Sequence, residues 1–248
     1  MNDWLVNNEN GVYYLTPPSS EFEDLYNAVR SLESRMHTDE TVLLLPYLAK
    51  KHPHNNEWKK RKSTTHRFSQ YLKEKKTGNA LEIGCGNGWF SNIIASHCTH
   101  VFALDVGREE LEQAARCFPS RNIDFICSTD WSKLPGNTFD RIVFNASMQY
   151  FDLTPEFWKQ LNRCLTSHGE IHILDTPFYD KDKIEGAKNR SLSYFSKIGV
   201  EKANSYYKHL PWSDLPNHFE LMYTPNKWLQ KLNTKRSPFP WIRIHKFV

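Results

Sequence analysis

Three observations predict an α/β fold built on a doubly wound, seven-stranded and mostly parallel sheet. From residue 80 onward, short apolar runs alternate with amphipathic helical stretches. Several of those runs end in an acidic residue, and the first breaks into three alternating glycines. Apolar strands separated by helical patterns belong to a parallel sheet covered on both faces.

In chain order, Gly11-Val12-Tyr13-Tyr14-Leu15 shows strand alternation, and Glu21 to Arg35 reads as a helix capped by Ser19 or Ser20 behind Pro17-Pro18. Glu57 to Lys76 reads as a basic helix whose apolar contacts are Trp58, Phe68, Tyr71 and Leu72, and Gly78 is expected to stop it. Strands are expected near 80–84, 101–106, 123–128, 140–146 and 170–175, and helices near 89–97, 108–117 and 155–165. After Asp175 the alternation lapses. Residues 181–198 look helical, and 204–217 are rich in Tyr, Pro, Trp and His. Phe219–Tyr223 and Trp241–His245 read as two closing strands. The expected organisation is one domain over 1–248: an N-terminal helical cap (1–56), a ligand-binding core (57–176), an insertion after the fifth strand that covers the substrate (177–217) and the closing strands (218–248).

The glycine segment is Ala80-Leu81-Glu82-Ile83-Gly84-Cys85-Gly86-Asn87-Gly88-Trp89-Phe90. Without a Cβ, glycine lets the backbone turn sharply and a ligand come close. A nicotinamide or flavin fingerprint would want a further glycine where Trp89 stands. Its diphosphate, placed on the helix N-terminus, would be repelled by Glu82. A ligand with a cationic centre and an amino group suits Glu82 instead, and S-adenosylmethionine fits that description.

The rest of the pattern follows in order. His100–Val106 ends in Asp105 about 20 residues after the loop, where a nucleotide site places a carboxylate against ribose hydroxyls. Ile123–Trp131 carries Asp130, an acid able to accept from an adenine amino group, although Ser/Thr-Asp is also ordinary turn chemistry. Phe139–Ser147 and Gly169–Asp175 are the fourth and fifth strands. With these motifs the chain resembles the class I S-adenosylmethionine-dependent methyltransferases, and in particular small bacterial methyltransferases of the type 11-like kind. That resemblance covers roughly residues 57–180. It implies a Rossmann-like core, S-adenosylmethionine as cofactor and S-adenosylhomocysteine as product. The implied cofactor residues are Glu82, Gly84, Cys85, Gly86, Gly88, Asp105, Val106, Asp130, Trp131, Asn145 and Ala146.

Composition narrows the function. Charged residues make up 24% and hydrophobic ones 39%, as in ordinary globular domains, and the formal charge of +4 is too small to imply nucleic acid. The 14% aromatic content suits an apolar cleft, though packing is its commoner use. Five cysteines form neither a C-x-x-C pair nor a zinc pattern, so no metal site is expected and a reducing compartment is. With no signal peptide and no apolar run long enough to span a bilayer, the expected location is cytoplasmic. Oligomeric state is not readable.

The expected activity is transfer of a methyl group to a small molecule, with the O, N, S or C nucleophile undetermined. Ser147-Met148-Gln149-Tyr150-Phe151 should border the methyl, and Gln149 and Tyr150 could orient a nucleophile or merely cap the cofactor. His209, in an aromatic stretch, is a third catalytic candidate, whereas His172 reads as a satisfied core histidine. Tyr150, Asp175, Tyr179, Tyr206 and Tyr207 are candidates for the substrate pocket. Two other readings stay open. The basic run of helix 59–76 (Lys59, Lys60, Arg61, Lys62, Arg67, Lys73, Lys75, Lys76) could serve an RNA methyltransferase, or be a solvated face, or turn Arg61 or Arg67 inward onto the cofactor's carboxylate. A protein of this fold could also act without catalysis, as a binding or scaffold partner.

Overall fold

A computed structural model describes residues 3–75, 77–226, 228, 230 and 235–247. Its strands are β1 (Asn8–Glu9), β2 (Val12–Tyr14), β3 (Thr77–Ile83), β4 (Cys98–Asp105), β5 (Ile123–Cys127), β6 (Phe139–Asn145), β7 (Leu165–Leu174), β8 (Phe178–Tyr179), β9 (Leu210–Pro211), β10 (Phe219–Tyr223) and β11 (Trp241–His245). Its helices are α1 (Ser20–Leu32), α2 (Asp39–Val42), α3 (Asn55–Glu74), α4 (Trp89–Ala95), α5 (Arg108–Cys117), α6 (Pro155–Cys164) and α7 (Lys181–Lys197).

The main sheet runs β1-β2-β5-β4-β3-β6-β7-β11-β10. β2 through β7 pair in parallel, and β11 and β10 close one edge antiparallel, as expected for the last two strands. The seven expected strands are therefore present, but the sheet is nine strands wide among the described residues. The N-terminal region is thus not only a helical cap. Its first residues form a hairpin that extends the sheet, with Val12 and Tyr14 opposite Phe125 and Cys127. Strands of two and three residues are too short to show a period, so the sequence hinted at β2 and concealed β1.

Two apolar layers cover the sheet. One gathers Phe68, Trp89, Phe90 and Leu111 from α3, α4 and α5; the other gathers Trp158 and Leu161 from α6 with Phe102, Phe139 and Phe144. In α6, Thr154 accepts from the Phe157 amide at 3.2 Å and Pro155 occupies the first turn. In α3, Trp58, Phe68, Tyr71 and Leu72 are the buried apolar residues. Gly78 does not stop that helix; it lies inside β3, and the helix ends at Glu74. Lys76 lies outside the described residues.

One polar cluster is buried behind the sheet. Glu170, 6% exposed, has Arg141 Nε at 3.0 Å, accepts from Tyr71 at 2.5 Å and lies 3.5 Å from Arg243. His172 is fully buried beside it. The Trp241 indole can only donate, so its 3.1 Å bond to His172 Nδ1 makes that nitrogen the acceptor. Nε2 then carries the proton and donates to Glu170 at 3.2 Å. Burial lowers the imidazole's pKa to about 4, so His172 is a neutral, fully partnered core histidine.

The order of strands reverses between β3 and β6, and ligands of open α/β sheets bind at the carboxyl ends beside that switch. Three features meet there: the glycine loop after β3, Ala146 after β6 and Asp175 after β7. Ala146 (φ 57°) and Asp175 (φ 48°) hold left-handed backbone conformations that a side chain disfavours, a strain of order 1–3 kcal/mol each. No helix among the described residues is long and apolar enough to cross a membrane.

Candidate functional site

Above the switch point lies a cavity of about 290 Å³, floored by the glycine loop and walled by α1 and the start of α3. Gly84 (φ 76°) and Gly86 (φ 51°) face it, and neither tolerates a Cβ. One at Gly84 would collide with the Ser147 side chain, and one at Gly86 would come within 2.9 Å of Glu110 Oε2. Gly88 is different. It packs where a Cβ would lie 2.8 Å from both Ala114 and Phe125, and it does not line the cavity.

Glu82, Cys85, Asp105, Val106, Trp131, Asn145 and Ala146 all line this cavity, as the sequence suggested. Glu82 is 1% exposed and accepts a short hydrogen bond from the Ser91 hydroxyl. Burial raises its carboxyl to about 8, and nearby Asp105 adds to the rise. Asp105 braces the loop: it accepts from the amides of Gly86 (2.7 Å), Val106 (2.7 Å) and Gly107 (3.3 Å). Burial raises its pKa, and those amides oppose the rise. Burial pushes the Cys85 thiol well above its ordinary value, so it is no nucleophile.

Asp130 stands outside the cavity lining and caps the turn Trp131–Lys133, its Oδ1 accepting from the Ser132 amide (2.9 Å) and hydroxyl (2.6 Å).

A second cavity of about 720 Å³ adjoins the first and shares with it Phe22, Tyr26, Arg30, Arg61, Ala146 and Tyr150 among others. Gln149, Asp175 and Tyr207 line only the second, and Tyr150 and Tyr206 line both. The rings pack edge to face: Phe22 with Tyr206 at 5.2 Å, Phe22 with Tyr150 at 5.8 Å and Tyr150 with Tyr207 at 6.2 Å. Gln149 is fixed, its amide donating to Ala146 O at 2.6 Å. Burial raises the Tyr150 pKa, so at neutral pH it is a neutral phenol. Asp175 Oδ1 accepts from Thr64 and Ser237, both at 2.8 Å.

Two candidates fall elsewhere. His209 lines a third hollow, bonded to Ser191 at 2.8 Å, and Tyr179 lies beside it with rings 5.8 Å apart. Neither lines the two joined cavities. Sequence reasoning missed Tyr26, Arg30, Glu57, Trp58 and Glu110, all in the first cavity. The first four lie outside any motif, and Glu110 reads as a dipole-complementing acid in the first turn of α5. Of the two inward arginines considered, Arg61 lines both cavities beside Glu57 at 3.1 Å, whereas Arg67 stacks over Tyr223 at 3.9 Å. Among the described residues no cluster of His, Cys, Asp and Glu could hold a metal ion.

The sequence model of a methyltransferase domain family matches residues 81–173, the segment that holds the glycine loop, Asp105 and Asn145. Over that segment the chain is similar to the methyltransferase domain family. Two curated relatives that match part of the chain are named malonyl-[acyl-carrier protein] O-methyltransferase. The Paenibacillus sp. (strain JDR-2) protein is 33% identical over 99 residues, 37% of this chain and 36% of the relative. The Erwinia pyrifoliae protein is 31% identical over 108 residues, 40% and 39% respectively. The chain thus spans less than two fifths of the length of these relatives. Among solved structures, the geranyl diphosphate C-methyltransferase of Streptomyces coelicolor A3(2) superposes with a TM-score of 0.59, covering 94% of this chain and all of its own at 10% identity. The YcgJ protein of Bacillus subtilis gives 0.55 over 71% of this chain and 79% of its own, at 15% identity. At those identities the structures establish the fold alone.

Proposed function

We propose that the protein uses S-adenosylmethionine to methylate a small molecule. The observation that carries this is the pair of joined cavities: a loop-floored one rich in carboxylates opens past Ala146 and Tyr150 into a larger one lined with aromatic rings. The residues of the first cavity fit the cofactor. Glycines that admit no Cβ leave room for close backbone approach, Glu82 suits an ammonium group, and Arg61 suits a carboxylate. Asp105 and Glu110 lie at the strand end where ribose hydroxyls need acceptors, with Trp131 and Phe151 as apolar walls. When bound, the sulfonium supplies an intrinsically electrophilic methyl group. The chain's own work is alignment and exclusion of water. Tyr150 orients the acceptor at the junction, Gln149 fixes the turn that presents Tyr150, and the aromatic cover keeps solvent out. The names of the two O-methyltransferase relatives support this reading.

The RNA alternative loses support from α3. Lys60 and Arg61 turn into the second cavity and Lys62 lies over the Tyr47 ring at 4.3 Å, so the basic run is not one continuous stripe. Calorimetry tests the main reading: S-adenosylmethionine and S-adenosylhomocysteine are expected to bind, with NAD far weaker. NAD binding tighter than S-adenosylmethionine would overturn it.

The cover comprises α1 and part of 177–217. No residue of α1 is fully buried, and its Phe22 and Tyr26 meet Tyr150 and Tyr206 over the site. Tyr194, Phe195, Tyr206 and Tyr207 face the second cavity, but Trp212 packs on Phe178 and Phe219, away from it. A cover that releases product belongs to the low-stability end of a structure. Hydrogen exchange should therefore show protection gained in 20–32 and 190–207 when S-adenosylhomocysteine binds, with the sheet unchanged. Full protection of those segments in the ligand-free protein would make them ordinary core.

A further inference from the structure

The two joined cavities differ in the balance of the ionisable groups that line them. The first is lined by five carboxyl groups (Glu23, Glu57, Glu82, Asp105, Glu110) and three guanidiniums (Arg30, Arg35, Arg61). In the second the ratio inverts, with five cations (Arg30, Arg35, Lys60, Arg61, Arg190) and three carboxyls (Glu33, Glu57, Asp175). Arg35 and Arg61 both pair with Glu57, Arg35 also reaches Glu33 at 2.9 Å, and Arg61 is the cation already given to the cofactor's carboxylate. The other three are not neutralised in this way. Arg30 has one long ion pair, 3.5 Å to Glu110, and its buried Nε has no acceptor. Lys60 on α3 and Arg190 on α7 have no carboxylate within ion-pair distance among the described residues. A buried guanidinium N–H without an acceptor costs free energy until a ligand supplies one. Around these cations the wall is apolar, with Phe22, Phe195, Phe239 and the rings of Tyr150, Tyr206 and Tyr207.

We propose that the second cavity takes a substrate with an apolar or aromatic body and an anionic group, carboxylate or phosphate, held by Arg30, Lys60 and Arg190. The assignment rests on the methyltransferase reading of the site, and it narrows the acceptor to anionic amphiphiles. The split of charge suits both ligands: the carboxylate-rich chamber receives the cationic cofactor, and the cation-rich one receives the acceptor. Each chamber thereby disfavours the other's ligand.

Calorimetry with 4-phenylbutanoate, 3-phenylpropyl phosphate and the neutral 4-phenylbutanamide tests this, with and without saturating S-adenosylhomocysteine. Both anions are expected to bind at least ~10-fold tighter than the amide, as charge-assisted hydrogen bonds require. A phosphate tighter than the carboxylate marks the substrate as a phosphate ester, and the reverse order marks it as a carboxylic acid. In a Lys60→Ala/Arg190→Ala protein the preference should fall severalfold while S-adenosylhomocysteine affinity is unchanged, because neither residue lines the first cavity. An amide that binds as well as the anions, a preference that survives the double substitution, or no anion binding at millimolar concentration overturns the proposal. Arg30→Gln should weaken the anions more than S-adenosylhomocysteine, and the opposite result removes Arg30 from the subsite. If S-adenosylhomocysteine itself fails to bind, the cofactor reading falls, and the titrations without it still decide the anion preference.

Discussion

Glu170→Ala is expected to lower the unfolding free energy by about 3–5 kcal/mol, the cost of leaving buried charge without its counter-charge. Arg141, 7% exposed, would lose its carboxylate, and Tyr71 and His172 would lose their acceptor. Burial alone would raise the Glu170 pKa, but the hydrogen bonds from His172 and Tyr71 and the charge of Arg141 outweigh it and hold the carboxyl at about 2. The displacement from 4.5 to about 2 corresponds to about 3 kcal/mol, consistent with that range. Because the folded-state pKa is depressed, this stability is present above pH 4.5 and is lost as pH falls toward 2. His172 acts in the same direction: held neutral with a pKa of about 4, it contributes fully above pH 6.5 and loses that contribution as pH falls through 4. Urea denaturation at pH 7 and pH 3 measures both effects. The gap between wild type and variant should be wide at pH 7 and narrow at pH 3. A gap under ~1 kcal/mol at pH 7 would mean that the cluster is merely tolerated.

Glu82→Gln is expected to separate stability from binding. In the ligand-free protein Glu82 has its pKa raised to about 8, so at pH 7 it is mostly protonated. A raised carboxyl contributes stability that is complete below pH 4.5 and lost as pH rises through 8. The neutral glutamine escapes that loss, so the variant should match wild type at pH 7 or exceed it, and exceed it at pH 9. Binding should move the other way. An ammonium group beside Glu82 favours its ionised form, so S-adenosylmethionine should expel a proton at pH 7 and bind more tightly as pH approaches 8. Loss of that charge-assisted bond should weaken binding by about 10–100-fold. Calorimetry in two buffers of different ionisation enthalpy counts the proton. A wild type that releases none does not bring its cofactor's ammonium to Glu82.

How much of this was legible in the sequence depended on whether a residue's role is local. The loop from Glu82 to Gly88 and the acid at Asp105 are set by a strand, a turn and a helix start, so their spacing announced them. The core strands and the buried face of α3 followed from period alone. Asp130 looked the same in sequence whether or not it capped a turn, and the cap showed only once Ser132 was seen against its Oδ1. Trp212 could not be told from a pocket aromatic until Phe178 and Phe219 were seen against it. Arg30 and Trp58 were illegible because their importance comes from which faces of α1 and α3 meet over the switch point. The basic run of α3 left several readings open, because the helix turns Lys60 toward the second cavity and Lys62 toward Tyr47, a division that charge counting cannot show.

The hairpin that widens the sheet also determines how the cover moves. Leu15 donates to Cys127 O at 2.9 Å and Ser19 to Val106 O at 3.0 Å, so the chain is fastened to the sheet's rim immediately before α1 begins. Glu23, in the first turn, accepts from the Glu109 amide at 2.7 Å. α1 is thus held through the backbone at its N-terminal end and through side chains at the far end, where Arg30 lies 3.5 Å from Glu110 and His54 Nε2 meets Glu33 O at 2.8 Å. A far end that opens must break those contacts while the N-terminal tether stays. Reclosure is then an encounter between tethered groups, whose effective concentration is set by the short leash and not by the amount of protein in solution.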